Sequence, residues 1–278
     1  MEPFDHLDLW PSGCRGVVVC DRGGDESEPA TSAHGDLTTP LAWASITKLA
    51  TALCLHVCAA DGVVALDEQV ADNGATLSDV LSHAGGFGPE GTTPTNEPGR
   101  RRVYSNGGYE IAATHLERAL GLSFETAVRE SVLDPLSMDR THLAGSPASG
   151  MEGPVSDLLL LLDELMAPTL LDSDEAAAIT EVTWPSTAGV LPGFGRFDPC
   201  PWGVGPEVKG GKEPHWTGPS WGPTSFGHFG QAGGFVAIDP VRRLGVATLG
   251  DVPFGPWSRH AWPRFLEAVW SSSAGGDR

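Results

Sequence analysis

The stretch Ser45-Ile46-Thr47-Lys48, followed by the apolar run Leu49-Ala50-Thr51-Ala52-Leu53-Cys54-Leu55-His56-Val57-Cys58-Ala59-Ala60, decides how the chain is to be read. A run that is apolar on all sides and ends at Gly62 is a central, buried helix with a glycine stop. Ser45 and Lys48, three residues apart, fall on one face of that helix at its N-terminal turn. There the free backbone N–H groups and the positive end of the helix dipole lie beside the serine oxygen. Burial and the dipole lower a lysine's pKa, so Lys48 is a candidate base for the Ser45 hydroxyl proton. A tetrapeptide S-x-x-K is common by chance, so its meaning depends on the rest of the chain.

Outward from this helix, residues 16–20 (Gly-Val-Val-Val-Cys) read as a short buried strand, and the glycine-rich stretch from Asp21 as a turn. From 63 to 185 the patterning is mostly helical. Thr76 and Asp79 make a capping box for Leu77 to His83, which Ala84-Gly85-Gly86 stops. An amphipathic stripe runs from Gly108 to Leu120. Ser123 caps a helix to Leu133, Ser156 begins one that Pro168 closes, and Asp172 with Glu175 caps another. After Val190 the texture becomes rich in Gly, Pro and Trp. Two β-type runs, Gly234 to Ile238 and Leu244 to Thr248, flank a hairpin link at 239–243. An amphipathic helix from about Pro256 to Trp270 closes the chain. The expectation is an α+β fold: an antiparallel sheet flanked by helices, built from residues 1–62 with 186–278, and a mostly helical domain inserted at 63–185, with the active site between them.

Composition narrows the partners. With 17 basic and 36 acidic residues the formal charge is −19, which argues against nucleic acid and anionic membrane surfaces. The N-terminus, Met1-Glu2-Pro3-Phe4-Asp5-His6, has no basic region leading into an apolar core, and no run approaches a membrane span. A cytoplasmic protein without a signal peptide is expected. Cys54 and Cys58, spaced i,i+4 on the apolar helix, read as buried thiols. No Cys/His pair elsewhere complements them as metal ligands, and no nucleotide fingerprint is present, so no metal and no cofactor is expected.

Two further stretches carry chemistry: Tyr104-Ser105-Asn106, just before a helix, and Gly227-His228-Phe229-Gly230-Gln231-Ala232-Gly233-Gly234, at the opening of the C-terminal sheet. Taken singly, Tyr104 reads as a packed aromatic, Asn106 as a helix cap and His228 as a core or edge residue. In this order with Ser45-x-x-Lys48, they resemble the three motifs of the penicillin-recognising serine hydrolases: class C β-lactamases, D-alanyl-D-alanine peptidases and related esterases. Leu81-Ser82-His83-Ala84-Gly85-Gly86, Tyr104 to Tyr109, Asp134-Pro135-Leu136-Ser137-Met138 and Ala237-Ile238-Asp239-Pro240 are similar to supporting turns of that family, so the likeness runs from residue 14 to about 270. It is greatest to the short actinobacterial members that share Gly-His-Phe-Gly-Gln.

That resemblance implies a β-lactamase/transpeptidase-like fold and acyl transfer through an ester on Ser45. Lys48 and Tyr104 would share the acid–base work, Tyr104 as phenolate or in relay through Lys48. Asn106 would orient the substrate and hold the Lys48 ammonium. The backbone N–H groups of Ser45 and of Gln231, after His228-Phe229-Gly230, would form the oxyanion hole. His228 stands where the penicillin-binding motif has Lys, and Phe229 where it has Thr, whose hydroxyl helps to bind a substrate carboxylate. Together with the short chain and the missing signal peptide, this tilts the substrate from β-lactams and cell-wall peptides towards a small-molecule ester or amide. A β-lactamase or D-alanyl-D-alanine carboxypeptidase, an acyltransferase, and a non-catalytic ligand-binding domain of the same fold are the alternatives.

Gly218-Pro219-Ser220-Trp221-Gly222 satisfies G-x-S-x-G, but its proline-rich flanks leave no strand and helix to hold a nucleophile elbow, and it reads as a loop. Trp202, Trp216, Trp221, Phe226 and Phe229 are either acyl-pocket lining or ordinary packing. Arg100-Arg101-Arg102 reads as a solvated turn able to attract an anion.

Overall fold

A computed structural model of the chain describes residues 2–11, 13, 15–23 and 30–274. The turn expected after Asp21 falls largely on 24–29, outside the described residues. The strands are β1 (Arg15–Asp21), β2 (Ala30–Gly35), β3 (Leu41–Ala42), β4 (His142–Leu143), β5 (Met151–Gly153), β6 (Gly189–Leu191), β7 (Gly195–Phe197), β8 (Glu207–Val208), β9 (Phe226–Phe229), β10 (Phe235–Asp239) and β11 (Leu244–Gly250). The helices are α1 (Thr47–Ala60), α2 (Leu77–Leu81), α3 (Asn106–Leu120), α4 (Phe124–Val128), α5 (Val155–Met166), α6 (Ser173–Thr180) and α7 (Pro256–Ala274). Among the described residues, no helix is long and apolar enough to cross a membrane.

One antiparallel sheet, in the order β2-β1-β11-β10-β9-β8, joins the N-terminal strands to the C-terminal ones. Its central strands are buried on both faces. Val17 and Val19 of β1, Phe235 and Ala237 of β10, and Leu244 and Val246 of β11 enter one apolar cluster with Trp262, Phe265 and Leu266 of α7. The alternate residues, Val18, Cys20, Val236, Ile238, Ala247 and Leu249, enter a second cluster with α1, α5 and the helices of the middle of the chain. Side chains alternate across a strand, so burial of both sets produces the continuous apolar runs seen in the sequence.

Helix α1 is the axle of the second cluster: every residue from Thr47 to His56 is buried. The capping boxes at Thr76/Asp79 and Asp172/Glu175 form as expected, with α2 and α6 starting at Leu77 and Ser173. The helix capped by Ser123 is a single α-helical turn that continues as a π-turn over Arg129–Leu133.

Two features go beyond the patterning, and one expectation is corrected. Ala30–Gly35 is an edge strand with every residue exposed, so it has no apolar period to betray it; its order comes from pairing with β1. The mostly helical middle of the chain also holds β4 and β5, and β5 pairs with both β4 and β3 in a small sheet. Arg102 is no solvated turn residue: it is 2% exposed and donates to the carbonyls of Cys200 (2.8 Å), Thr183 (2.6 Å) and Ser82. A planar fork of five donors suits a point where three chain segments end in unpaired carbonyls. The Arg102 backbone N–H also donates to Ala188 O at 2.8 Å, which seats β6 beside residue 102.

Replacing Arg102 by Ala strands these buried carbonyls and opens a void. Unfolding in denaturant is expected to show a loss of about 3 kcal/mol or more, and Arg102→Lys, unable to reach three acceptors in a plane, is expected to recover only part of it.

Candidate active site

Ser45 lies in a 3-10 turn, Ala44–Ile46, that runs into α1. Ala44 takes φ 46°, in the left-handed region, an arrangement that costs a residue with a Cβ about 1–3 kcal/mol and persists only where its surroundings impose it. The surroundings here are β5. Trp43 N donates to Met151 O at 2.9 Å, the Trp43 indole donates to Gly153 O at 3.2 Å, and Met151 N donates to the Thr47 hydroxyl at 3.0 Å. The small sheet that the sequence did not announce is therefore what pins the serine turn.

Lys48 is fully buried. Its Nζ donates to Asn106 Oδ1 at 2.7 Å and to Ala148 O at 2.8 Å. Desolvation pushes its pKa down to about 7, against the opposing pull of the Glu90 and Glu110 carboxylates. Nζ also stands 4.8 Å from the centroid of the Tyr104 ring. Tyr104 lines the same cavity as Ser45, and burial drives its pKa well above that of a free phenol. Tyr104 is held by the His83 ring at 4.5 Å and the Trp202 ring at 5.9 Å. His83, at φ 60°, accepts the Ser105 N–H on Nδ1 at 3.1 Å, which fixes the turn that presents Tyr104. Asn106 opens α3, while the cap is Ser105, whose hydroxyl accepts the Gly108 N–H at 3.2 Å.

Strand β9 supplies the opposite wall. Gly230 packs so closely on the Trp43 carbonyl that a Cβ there would collide with it, which sets Gln231 beside the serine turn. His228 is buried, its Nδ1 2.8 Å from Phe229 O, and desolvation holds its pKa down at about 3, so the ring is neutral. A cavity opens over Ser45 and is lined by Tyr104, Leu191, Trp202, His228, Phe229 and Gln231, with Pro192 and Glu207 completing it. Burial alone would raise the Glu207 pKa, but His215 (2.9 Å) and Lys212 (2.5 Å) draw it to about 2, so the carboxylate and the ammonium neutralise each other.

The structure thus brings Ser45, Lys48, Tyr104, Asn106, His228, Phe229, Gly230 and Gln231 to one place. Of the aromatic set, Trp202 and Phe229 line the cavity, whereas Trp216 and Trp221 are packed in the α7 cluster and Phe226 in the α1 cluster. Leu191, Pro192, Glu207 and the Ala148 carbonyl were not anticipated, because nothing local in the sequence marks them. Ser220 is exposed in a loop with no strand or helix around it, as expected of a chance motif. Cys54 and Cys58 are buried in α1, and among the described residues no cluster of His, Cys, Asp and Glu is arranged to hold a metal.

The Beta-lactamase family model matches residues 12–268. The chain belongs to the beta-lactamase family. A solved structure of a beta-lactamase from Mycobacterium bovis is 34% identical, superposes with a TM-score of 0.93, and is covered over 98% of this chain and 99% of that one. A beta-lactamase-like protein from Bacteroides dorei (17% identity, TM-score 0.80, 98% and 99% covered) and the simvastatin synthase of Aspergillus terreus (17%, 0.77, 99% and 94%) share the fold. No curated protein matches the chain. Family and fold make this beta-lactamase relative a hydrolase in the general sense.

Gly230→Ala is expected to lower the melting temperature and, in the protein that still folds, to slow modification of Ser45 by a fluorophosphonate roughly 10²-fold, because β9 must back away from the Trp43 carbonyl and carry Gln231 with it.

Proposed function

We propose that the protein is a serine hydrolase that cleaves an ester or amide of a small molecule through an acyl intermediate on Ser45. The observation that carries this reading is the convergence of Ser45 and Tyr104 on one cavity, with Lys48 Nζ 4.8 Å from the Tyr104 ring and its amine desolvated to a pKa of about 7. The two shifts also favour one of the proton routes that the sequence leaves open. A phenolate at Tyr104 beside an ammonium at Lys48 is disfavoured from both ends, since Tyr104 is pushed up and Lys48 down. The resting pair at pH above about 7 is neutral amine and neutral phenol.

In the reaction, Ser45 Oγ attacks the substrate carbonyl carbon as its proton passes to Tyr104 and the phenol proton to Lys48. The negative charge that develops on the carbonyl oxygen is received by the backbone N–H groups of Ser45 and Gln231. Collapse breaks the carbonyl bond to the leaving alcohol or amine, which takes the proton back. Water then attacks the acyl ester, releasing the acid and restoring the Ser45 hydroxyl.

The wall of the cavity favours a neutral, apolar acyl group. Leu191, Pro192, Trp202 and Phe229 form its surface, His228 carries no charge near neutrality, and the Lys212 ammonium is committed to Glu207. A carboxylate on the substrate would meet no free cation on this wall, and an unpaired charge there is costly.

Fluorophosphonate is expected to label the wild type on Ser45 and to leave Ser45→Ala unlabelled; a folded wild type with no Ser45 adduct sinks the proposal. Tyr104→Phe is expected to lower kcat for a short-chain aryl ester about 10²-fold. The acid limb of kcat/KM should rise through pH about 7, since the base works only once Lys48 has lost its proton. A chromogenic cephalosporin turned over as fast as the aryl ester would instead assign β-lactams as substrate.

A further inference from the structure

Glu90 lies outside every motif, on the loop between α2 and α3, and its Oε1 accepts the Asn106 Nδ2–H at 2.7 Å. Two more contacts bind this loop to the start of α3. Asn106 N donates to Pro89 O at 2.8 Å, and Gly107 lies flush against the Gly91 carbonyl, where any Cβ would collide. The carboxylate is therefore held in place by its backbone on both sides, although Glu90 itself is exposed.

We infer that Glu90 is a positioning residue of the active site: it locks the Asn106 amide with its oxygen towards Lys48 and keeps the lysine's lone pair free for proton transfer. The inference rests on the hydrolase reading proposed above. Its physical basis is that an amide has a donor end and an acceptor end, and its neighbours decide which way it faces. While Lys48 is an ammonium, it needs the Asn106 oxygen, and the orientation is safe. Once Lys48 gives up its proton, a flipped Asn106 could donate an N–H to the neutral amine and occupy the very lone pair that must accept the serine proton. A flip would also turn the Asn106 oxygen towards the Glu90 carboxylate, acceptor against acceptor, and this opposes it. Glu90 thus matters most in the protonation state in which the lysine works.

Its charge has a second, separable effect. The titratable and charged groups that face Lys48 are Glu90 and Glu110, whose carboxylates raise its pKa, together with the neutral His83 and His228 rings and the Tyr104 and Tyr109 phenols. Glu110 is bound to the Ser146 hydroxyl, on the turn that carries the Ala148 carbonyl. Removing the Glu90 charge shifts Lys48, and a neutral amide in its place holds Asn106 only in part, because it can donate as well as accept.

The test is the rate of Ser45 modification by a fluorophosphonate as a function of pH, in full-length wild type, Glu90→Ala and Glu90→Gln, with folding followed by circular dichroism. Glu90→Gln is expected to give a plateau above pH 8 between those of wild type and Glu90→Ala, since its amide accepts from Asn106 in one orientation and donates to the flipped oxygen in the other, and to move the acid limb down by about half a pH unit. Glu90→Ala is expected to show the same downward shift together with a plateau about tenfold lower, as the lysine lone pair is lost to the flipped amide. Equal plateaus in all three proteins, or an unmoved acid limb in both variants, overturn the role of Glu90. A wild type that takes no label on Ser45 overturns the hydrolase reading itself, so the two failures are told apart.

Discussion

A primary amine with no exposure to water is the constraint on which the rest of the site depends. Lys48 is buried because α1 is buried, and a buried amine must find oxygen acceptors or lose its charge. The acceptors are an Asn106 side chain at the start of α3 and the Ala148 carbonyl in the turn before β5. Neither lies near Lys48 in sequence. Meeting the needs of one nitrogen therefore draws three parts of the chain together at the serine turn. The desolvation that demands this convergence is also what brings the amine to a pKa near neutrality.

The sheet contributes by being buried on both faces. With α7 on one side and the helical layer on the other, β9 and β10 have little room to move, and the Gly230 contact with Trp43 joins the end of β9 to the serine turn without a side chain between them. The same burial removes charge from the substrate side. His228 stays neutral, and Glu207, Lys212, His215 and Trp216 satisfy one another within the wall. What faces Ser45 is a largely aromatic and aliphatic surface in a protein of strongly negative net charge.

Much of this was legible in the residues. The all-round apolar run of α1, the capping boxes of α2 and α6, and the two β-runs joined at 239–243 are local signals, each generated by contacts within a few residues. The three motifs are local too, because a nucleophile turn, a tyrosine before a helix and a glycine-bordered strand each need particular residues at fixed offsets. Strand β2 had no such signal, being exposed on all its residues. Strands β3 to β5 are two or three residues long, too short for a period to show. Arg102 looked like a surface arginine because its three acceptors are backbone carbonyls, which carry no residue identity. Glu90 was invisible for a related reason: its importance rests on where a loop of little pattern comes to lie.

The sequence by itself determined the fold class, the central helix, the β-runs of the sheet and the short stretches of residues that the site brings together. These follow from periodicity and from residue types at fixed spacing, and both are properties of the chain before it folds. Only the tertiary structure decided the state of those groups: a lysine poised near neutrality, a phenol held protonated, a histidine without charge, and an asparagine clamped between Lys48 and Glu90. Protonation and orientation are set by desolvation and by neighbours brought from far along the chain, and neither exists until the chain has closed around them.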